Sequence, residues 1–246
     1  MNQIIVGANK ADLHFPETFL FIDDEDFSGV IPERRKVVRL DLNEHHFNPL
    51  QNTDYRKTRA FVDIIDATFP RGNGTLTKDT GLSFIRRARG KYLHKLIPVP
   101  SKTATPGHIW AYDKIDEIVS SPVLHSFLCK PTNFALDGIV LAKLDRKILT
   151  DFEAYLIGNF LISNYQGHVV IPDYGFYTAP FHASLIRQGR LSAGVNSIAE
   201  FPFPLSLMSE KLARTCLAED ARKLAEYRGL IPGEVGHSDF VRESVA

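Results

Sequence analysis

Short apolar runs rich in β-branched residues alternate along this chain with longer stretches whose apolar positions recur every three or four residues. Runs of the first kind suit strands buried on both faces, and the alternation predicts an α/β protein with a mostly parallel, helix-flanked sheet. The strands are expected at 3–6, 18–22, 36–42, 138–144, 168–172 and 191–195, with a further one near 205–208. Helices are expected at 57–69, 79–93, 114–128, 149–165, 181–188 and 218–228. In the fourth helix Phe152, Tyr155, Leu156, Phe160 and Ile162 fall roughly on one side, Thr150 or Asp151 can cap the start, and Gly167 lies just past the end. The last helix carries Glu219 and Lys223 one turn apart and is followed by Gly229. The proline-containing stretch 98–108 reads as a loop between helices.

Composition narrows this picture without redirecting it. A chain of 246 residues with 44% hydrophobic and 24% charged residues can bury a full core as one α/β domain. The formal net charge is zero, so attraction to nucleic acid would have to come from a local patch. The two cysteines, Cys129 and Cys216, form no C-x-x-C pair and support neither a disulfide framework nor a zinc site. No basic segment followed by an apolar run opens the chain, and the apolar stretch around 155–162 is far shorter than a membrane span requires. A cytoplasmic location without membrane contact is the expectation.

Residues 166–202 carry the most chemistry. A buried strand ends in Asp173, a short helix and Arg187 and Arg190 follow, and a second buried strand ends at Asn196. A nucleotide-driven motor needs these parts in this order: a carboxylate for Mg²⁺ or its water, arginines that reach a neighbouring subunit's nucleotide, and a polar group that senses phosphate. The bland alternatives are an Asp-containing turn and a cationic helix end. The residue after Asp173, where a second acid would orient the attacking water, is Tyr174. No G-x-x-x-x-G-K-[ST] phosphate loop occurs anywhere in the chain. Behind the first strand, one reading takes Gly7 and Lys10 as remnants of a worn-down cradle, though the next strand begins too soon for a helix of ordinary length.

Other segments offer weaker signals. Asn9, Lys10 and Asp12 match the guanine-reading N-K-x-D pattern, which means little without a phosphate loop. Asp23, Asp24, Glu25 and Asp26 end a strand as a cation-binding run or a solvated turn. His125 and Cys129 stand four apart, as a nucleophile and base or as two packed side chains. Arg86, Arg87, Arg89 and Lys91, interleaved with Phe84 and Tyr92, form the strongest basic patch, a phosphate-backbone contact or the wet face of a helix.

Taken in order, these motifs resemble the FtsK/HerA-type DNA-pumping ATPases, especially the shorter virus-type genome-packaging members. FLFIDDEDF resembles that family's strand with an acid-rich turn, and VVRLDLNEHHFNPL its next strand with the Asn48-Pro49 step. DGIVLAKLDRKILTDFEAYLIGNFLIS resembles the strand and long helix before the metal-site strand, and VVIPDYG stands in the place of the Walker B strand. LIRQGR resembles the arginine-bearing segment, and AGVNSIAEF stands where the polar sensor, Asn196 or Glu200, ends its strand.

The resemblance implies a P-loop NTPase sheet of the RecA/FtsK-HerA type, ATP with Mg²⁺ as cofactor, and DNA translocation or packaging in a ring or beside an active ATPase. It implies Asp173 on the metal, Asn196 on the phosphate, Arg187 and Arg190 as trans-acting fingers, and Gly7 and Lys10 as degenerate cradle residues. The missing phosphate loop and Tyr174 leave two readings open: a motor with a weakened nucleotide site, or a catalytically inactive structural or DNA-contacting subunit that keeps the fold.

Overall fold

The structure, a computed structural model, describes residues 3–6, 15–24, 37–51, 55–69, 75–88 and 91–195. Six strands form one sheet: β1 Gln3–Val6, β2 Phe19–Asp23, β3 Val37–Arg39, β4 Ile139–Lys143, β5 His168–Ile171 and β6 Leu191–Val195. Their order across the sheet is β1-β6-β5-β2-β4-β3, and every pairing is parallel. This confirms an α/β protein with a parallel sheet. The expected strand near 205–208 and the helix at 218–228 lie outside the described residues.

The helices are α1 Tyr55–Thr68, α2 Thr75–Arg87, α3 Pro106–Ser120, α4 Pro122–Leu128, α5 Asp151–Asn164, α6 Tyr174–Tyr177 and α7 His182–Arg187, with a 3₁₀ turn at Leu93–Lys95. They all fall in the connections β3→β4, β4→β5 and β5→β6, which cross the sheet in one direction. Right-handed crossovers running the same way set their helices on the same face. The packing agrees, because Leu20, Ile22, Val140, Ala142, Val169, Ile171, Leu191 and Ala193 share a core with residues of the helix layer. Successive strand residues alternate faces, so Phe19, Phe21, Ile139, Leu141 and Val170 form a second, smaller cluster with Phe15 and Val37.

α5 departs from the one-sided pattern expected of it. Ala154 and Leu156 to Ile162 are all buried, so the helix is apolar nearly all round and sits deep in the layer. Phe61 of α1 stacks on its Phe160 at 5.3 Å. Its start is held by a full capping box: Glu153 N–H donates to Thr150 Oγ1 at 3.2 Å and Thr150 N–H donates to Glu153 Oε2 at 2.9 Å. The same carboxylate accepts from Ser121 Oγ at 2.5 Å, tying α5 to the capping residue of α4. Burial works against the Glu153 charge, but these hydrogen bonds outweigh it and hold the carboxyl below its usual range.

Two helix boundaries differ from the sequence pattern for a proline-related reason. The stretch taken as a loop contains the start of α3, where Thr105 caps and Pro106 opens the helix. The single helix expected at 114–128 is two, because Ser121 caps a new start at Pro122. Proline lacks the N–H a continuing helix needs, yet suits the first helical position. Likewise the helix expected to reach residue 93 ends at Arg87, short of Gly90.

Replacing Thr150 by Ala removes one side of the capping box, and it is expected to lower unfolding stability by about 1 kcal/mol, read from the urea midpoint at unchanged slope.

Candidate functional site

Parallel strands deliver the residues that follow them to one edge of the sheet, and ligands of open α/β sheets bind at that carboxyl edge, where neighbouring connections diverge. Here β2 leads outward to β3 while β5 leads the opposite way to β6, and the two strands are neighbours. The crevice between their ends is therefore the candidate site. It gathers Asp23 and Asp24 from the end of β2, Asp173 beyond β5, and Arg146 beyond β4.

Each side chain is placed by local structure. Asp23 is 2% exposed, and its Oδ1 accepts the N–H of Asp24 at 2.9 Å. The β2–β4 pairing continues past the strand, Leu144 N–H donating to Asp23 O at 2.7 Å. The chain then turns at Asp145, whose Oδ1 accepts the Lys147 N–H while its carbonyl accepts from Ile148 and Leu149. That turn projects Arg146 over the crevice. Its Nη2 lies 2.8 Å from Asp173 Oδ2 and 3.4 Å from Asp24 Oδ2. The guanidinium also rests over the Phe176 ring at 4.6 Å. Burial disfavours the charge on Arg146, but the Asp173 and Asp24 carboxylates outweigh it and raise its pKa above the usual value.

Asp173 thus lies two residues past β5 at the carboxyl edge, with a cation of the protein's own on it. The close approach of β6 fixes its neighbourhood, because a Cβ on Gly194 would collide with the carbonyl oxygen of Pro172. Tyr174 is fully buried and turned away from solvent, its hydroxyl 3.1 Å from Nδ1 of the equally buried His182. Burial pushes the Tyr174 hydroxyl far above its ordinary pKa and pushes His182 down to about 3. Neither serves as a base toward the crevice near neutral pH.

The arginines of the 166–202 segment are not brought to this site. Arg190 immediately precedes β6, and its carbonyl accepts the Val169 N–H near the start of β5, at the opposite edge of the sheet. Its guanidinium is committed to its own chain: Nε donates to Gly167 O at 2.9 Å, Nη2 to Tyr165 O at 2.7 Å and Nη1 to Gln188 Oε1 at 2.9 Å. These bonds make Arg190 a tie between the end of α5, the start of β5 and the end of α7. Arg187 is exposed on the last turn of α7. Between them Gly189 closes the helix at φ 69°, a conformation glycine takes freely.

Gly7, Lys10, Asn196 and Glu200 lie outside the described residues, as do Asn9, Asp12, Glu25, Asp26 and Arg89. The strands that lead to the first and third of these are described, and β6 lies between β1 and β5. Val6 is level with Val195, and Ile171 with Ala193. Extending the second register by two residues sets Asp173 level with both strand ends, two strand spacings or about 10 Å from β1. Of the basic patch, Arg86 and Arg87 are exposed at the end of α2 and Lys91 follows them, also exposed. Burial raises the pKa of Asp63 on the neighbouring helix, while Arg59 and Arg86 pull it down, so Arg86 already faces an acid.

Sequence reasoning missed Arg146. The available signal was positional: in a parallel sheet a charged residue just past any strand shares an edge with Asp173, and LAKLDRK places one there. No helix among the described residues is long and apolar enough to cross a membrane. No family model matches the chain, and no curated protein or solved structure matches it either.

Two outcomes follow from this geometry. Arg146→Met leaves Asp24 and Asp173 without the guanidinium that pairs with both, so it is expected to lower the Tm in the absence of divalent ions, and added Mg²⁺ is expected to restore it. The native chain should show no comparable Mg²⁺ effect. Separately, His182 has a folded-state pKa below its unfolded value, so the unfolded chain binds the extra proton. Stability contributed by the neutral ring is full above about pH 6.5 and falls as pH drops toward about 3, by up to about 1.4 kcal/mol per pH unit. The substitution His182→Gln should flatten that part of the stability–pH curve.

Proposed function

We propose that this chain is a non-hydrolysing relative of the FtsK/HerA-type DNA-translocating ATPases, acting as a structural or DNA-contacting subunit in a ring or beside an active motor. One observation carries the reading: the carboxylate in the metal position, Asp173, is paired at 2.8 Å with Arg146. A guanidinium there supplies positive charge permanently, where a motor's Mg²⁺ would arrive and leave with ATP. The residue after Asp173 supports the same conclusion. Tyr174 is buried against His182, so no side chain of that position can orient an attacking water.

A second reading, a motor with a weakened nucleotide site, is favoured by the strand order. With β6 between β1 and β5, a phosphate held behind β1 would meet first the residue ending β6 and then Asp173. In that reading Gly7 and Lys10 hold the phosphate, Asn196 senses it and Asp173 takes Mg²⁺. The DNA partner, in either reading, is met by Arg86, Arg87 and Lys91, with Arg89 between them in sequence.

Calorimetry with ATP separates the two. The first reading predicts no Mg²⁺-dependent heat and no phosphate release above background at millimolar nucleotide. Mg²⁺-dependent ATP binding that disappears in Asp173→Ala would establish the second reading in its place. For DNA, binding measured at low salt should weaken in an Arg86→Ala, Arg87→Ala, Lys91→Ala triple variant, with the slope of log affinity against log salt reduced by about two to three. Unchanged affinity and slope would remove the patch as the contact.

A further inference from the structure

Far from the acidic crevice, three side chains with metal-binding donors converge where α4 meets the 3₁₀ turn. His125 and Cys129 lie one helical turn apart, Cys129 N–H donating to His125 O at 3.2 Å at the end of α4. His94 reaches them from the Leu93–Lys95 turn, its ring 5.8 Å from that of His125. The donor atoms of His94, His125 and Cys129 all lie within 4.8 Å of one another. We propose that His94, His125 and Cys129 form a binding site for a borderline-soft divalent cation of the zinc class, with water completing a tetrahedral set.

The chemistry of the donors fits this class. Two imidazoles and a thiolate match the nitrogen and sulfur set that Zn²⁺ prefers, at about 2.0–2.1 Å and 2.3 Å respectively. The three donors already lie within 4.8 Å of one another, close enough to converge on one ion. Both histidines are exposed while Cys129 is buried, so the sulfur is fixed and the ion has an open path from solvent. On binding, the Cys129 thiol gives its proton to solvent and the neutral imidazoles each supply a lone pair.

The spacing His125-x-x-x-Cys129 alone left a nucleophile–base pair and two packed side chains as its readings. The third ligand comes from a distant segment, so the cluster exists only once the helices pack.

The test is titration of the reduced full chain with Co²⁺, a spectroscopic stand-in for Zn²⁺. One equivalent should bind with tetrahedral d–d absorption and a thiolate-to-cobalt charge-transfer band, and Zn²⁺ should displace it. Cys129→Ser should abolish the charge-transfer band. The exposed substitutions His94→Ala and His125→Ala, each with native far-UV circular dichroism, should weaken binding by about tenfold or more. Absence of the band in the native chain overturns the site. So does a band that survives in Cys129→Ser, which would place the sulfur at Cys216.

Discussion

The organisation of the carboxyl edge depends on one guanidinium. Asp23, Asp24 and Asp173 arrive there because parallel strands β2 and β5 end side by side, and a buried or half-buried carboxylate cluster repels itself unless a cation joins it. Arg146 supplies a cation to two of them, Asp24 and Asp173. It reaches Asp173 and Asp24 from the turn after β4 and rests on Phe176, so three elements are fixed by one side chain. A divalent ion at the same place would do similar electrostatic work, but only while bound.

This trade has consequences for chemistry. Phosphoryl transfer relies on charge that is positioned for the transition state and exchanged with each cycle. A covalently attached arginine is present at all times and occupies one acceptor site on Asp173 Oδ2. The burial of Tyr174 beside His182 removes the adjoining position as well. At the other edge of the sheet Arg190 spends its donors on Tyr165, Gly167 and Gln188. Asp173 and Arg190 are therefore both engaged in contacts within the fold.

Much of the architecture is legible in the sequence because burial on both faces writes itself as short apolar runs, and all six described strands lie where such runs occur. Helix ends were less legible, since Thr105-Pro106 and Ser121-Pro122 look like breaks although each pair starts a helix. α6 is a single turn, too short to show a period. At the site, Asp173 was visible because it interrupts an apolar run. Arg146 and His94 were not, because their importance comes from partners 27 and 31 residues away or more, and only the sheet order and helix packing bring them together.

The central claim is that Arg146 is the cation that Asp173 pairs with. Paramagnetic Mn²⁺ tests it directly when the amide signals of Ile171, Asp173 and Tyr174 are followed by NMR in the native chain. The account predicts that these signals keep their intensity at millimolar Mn²⁺ and broaden only in Arg146→Met. Selective broadening of the same signals in the native chain would contradict it.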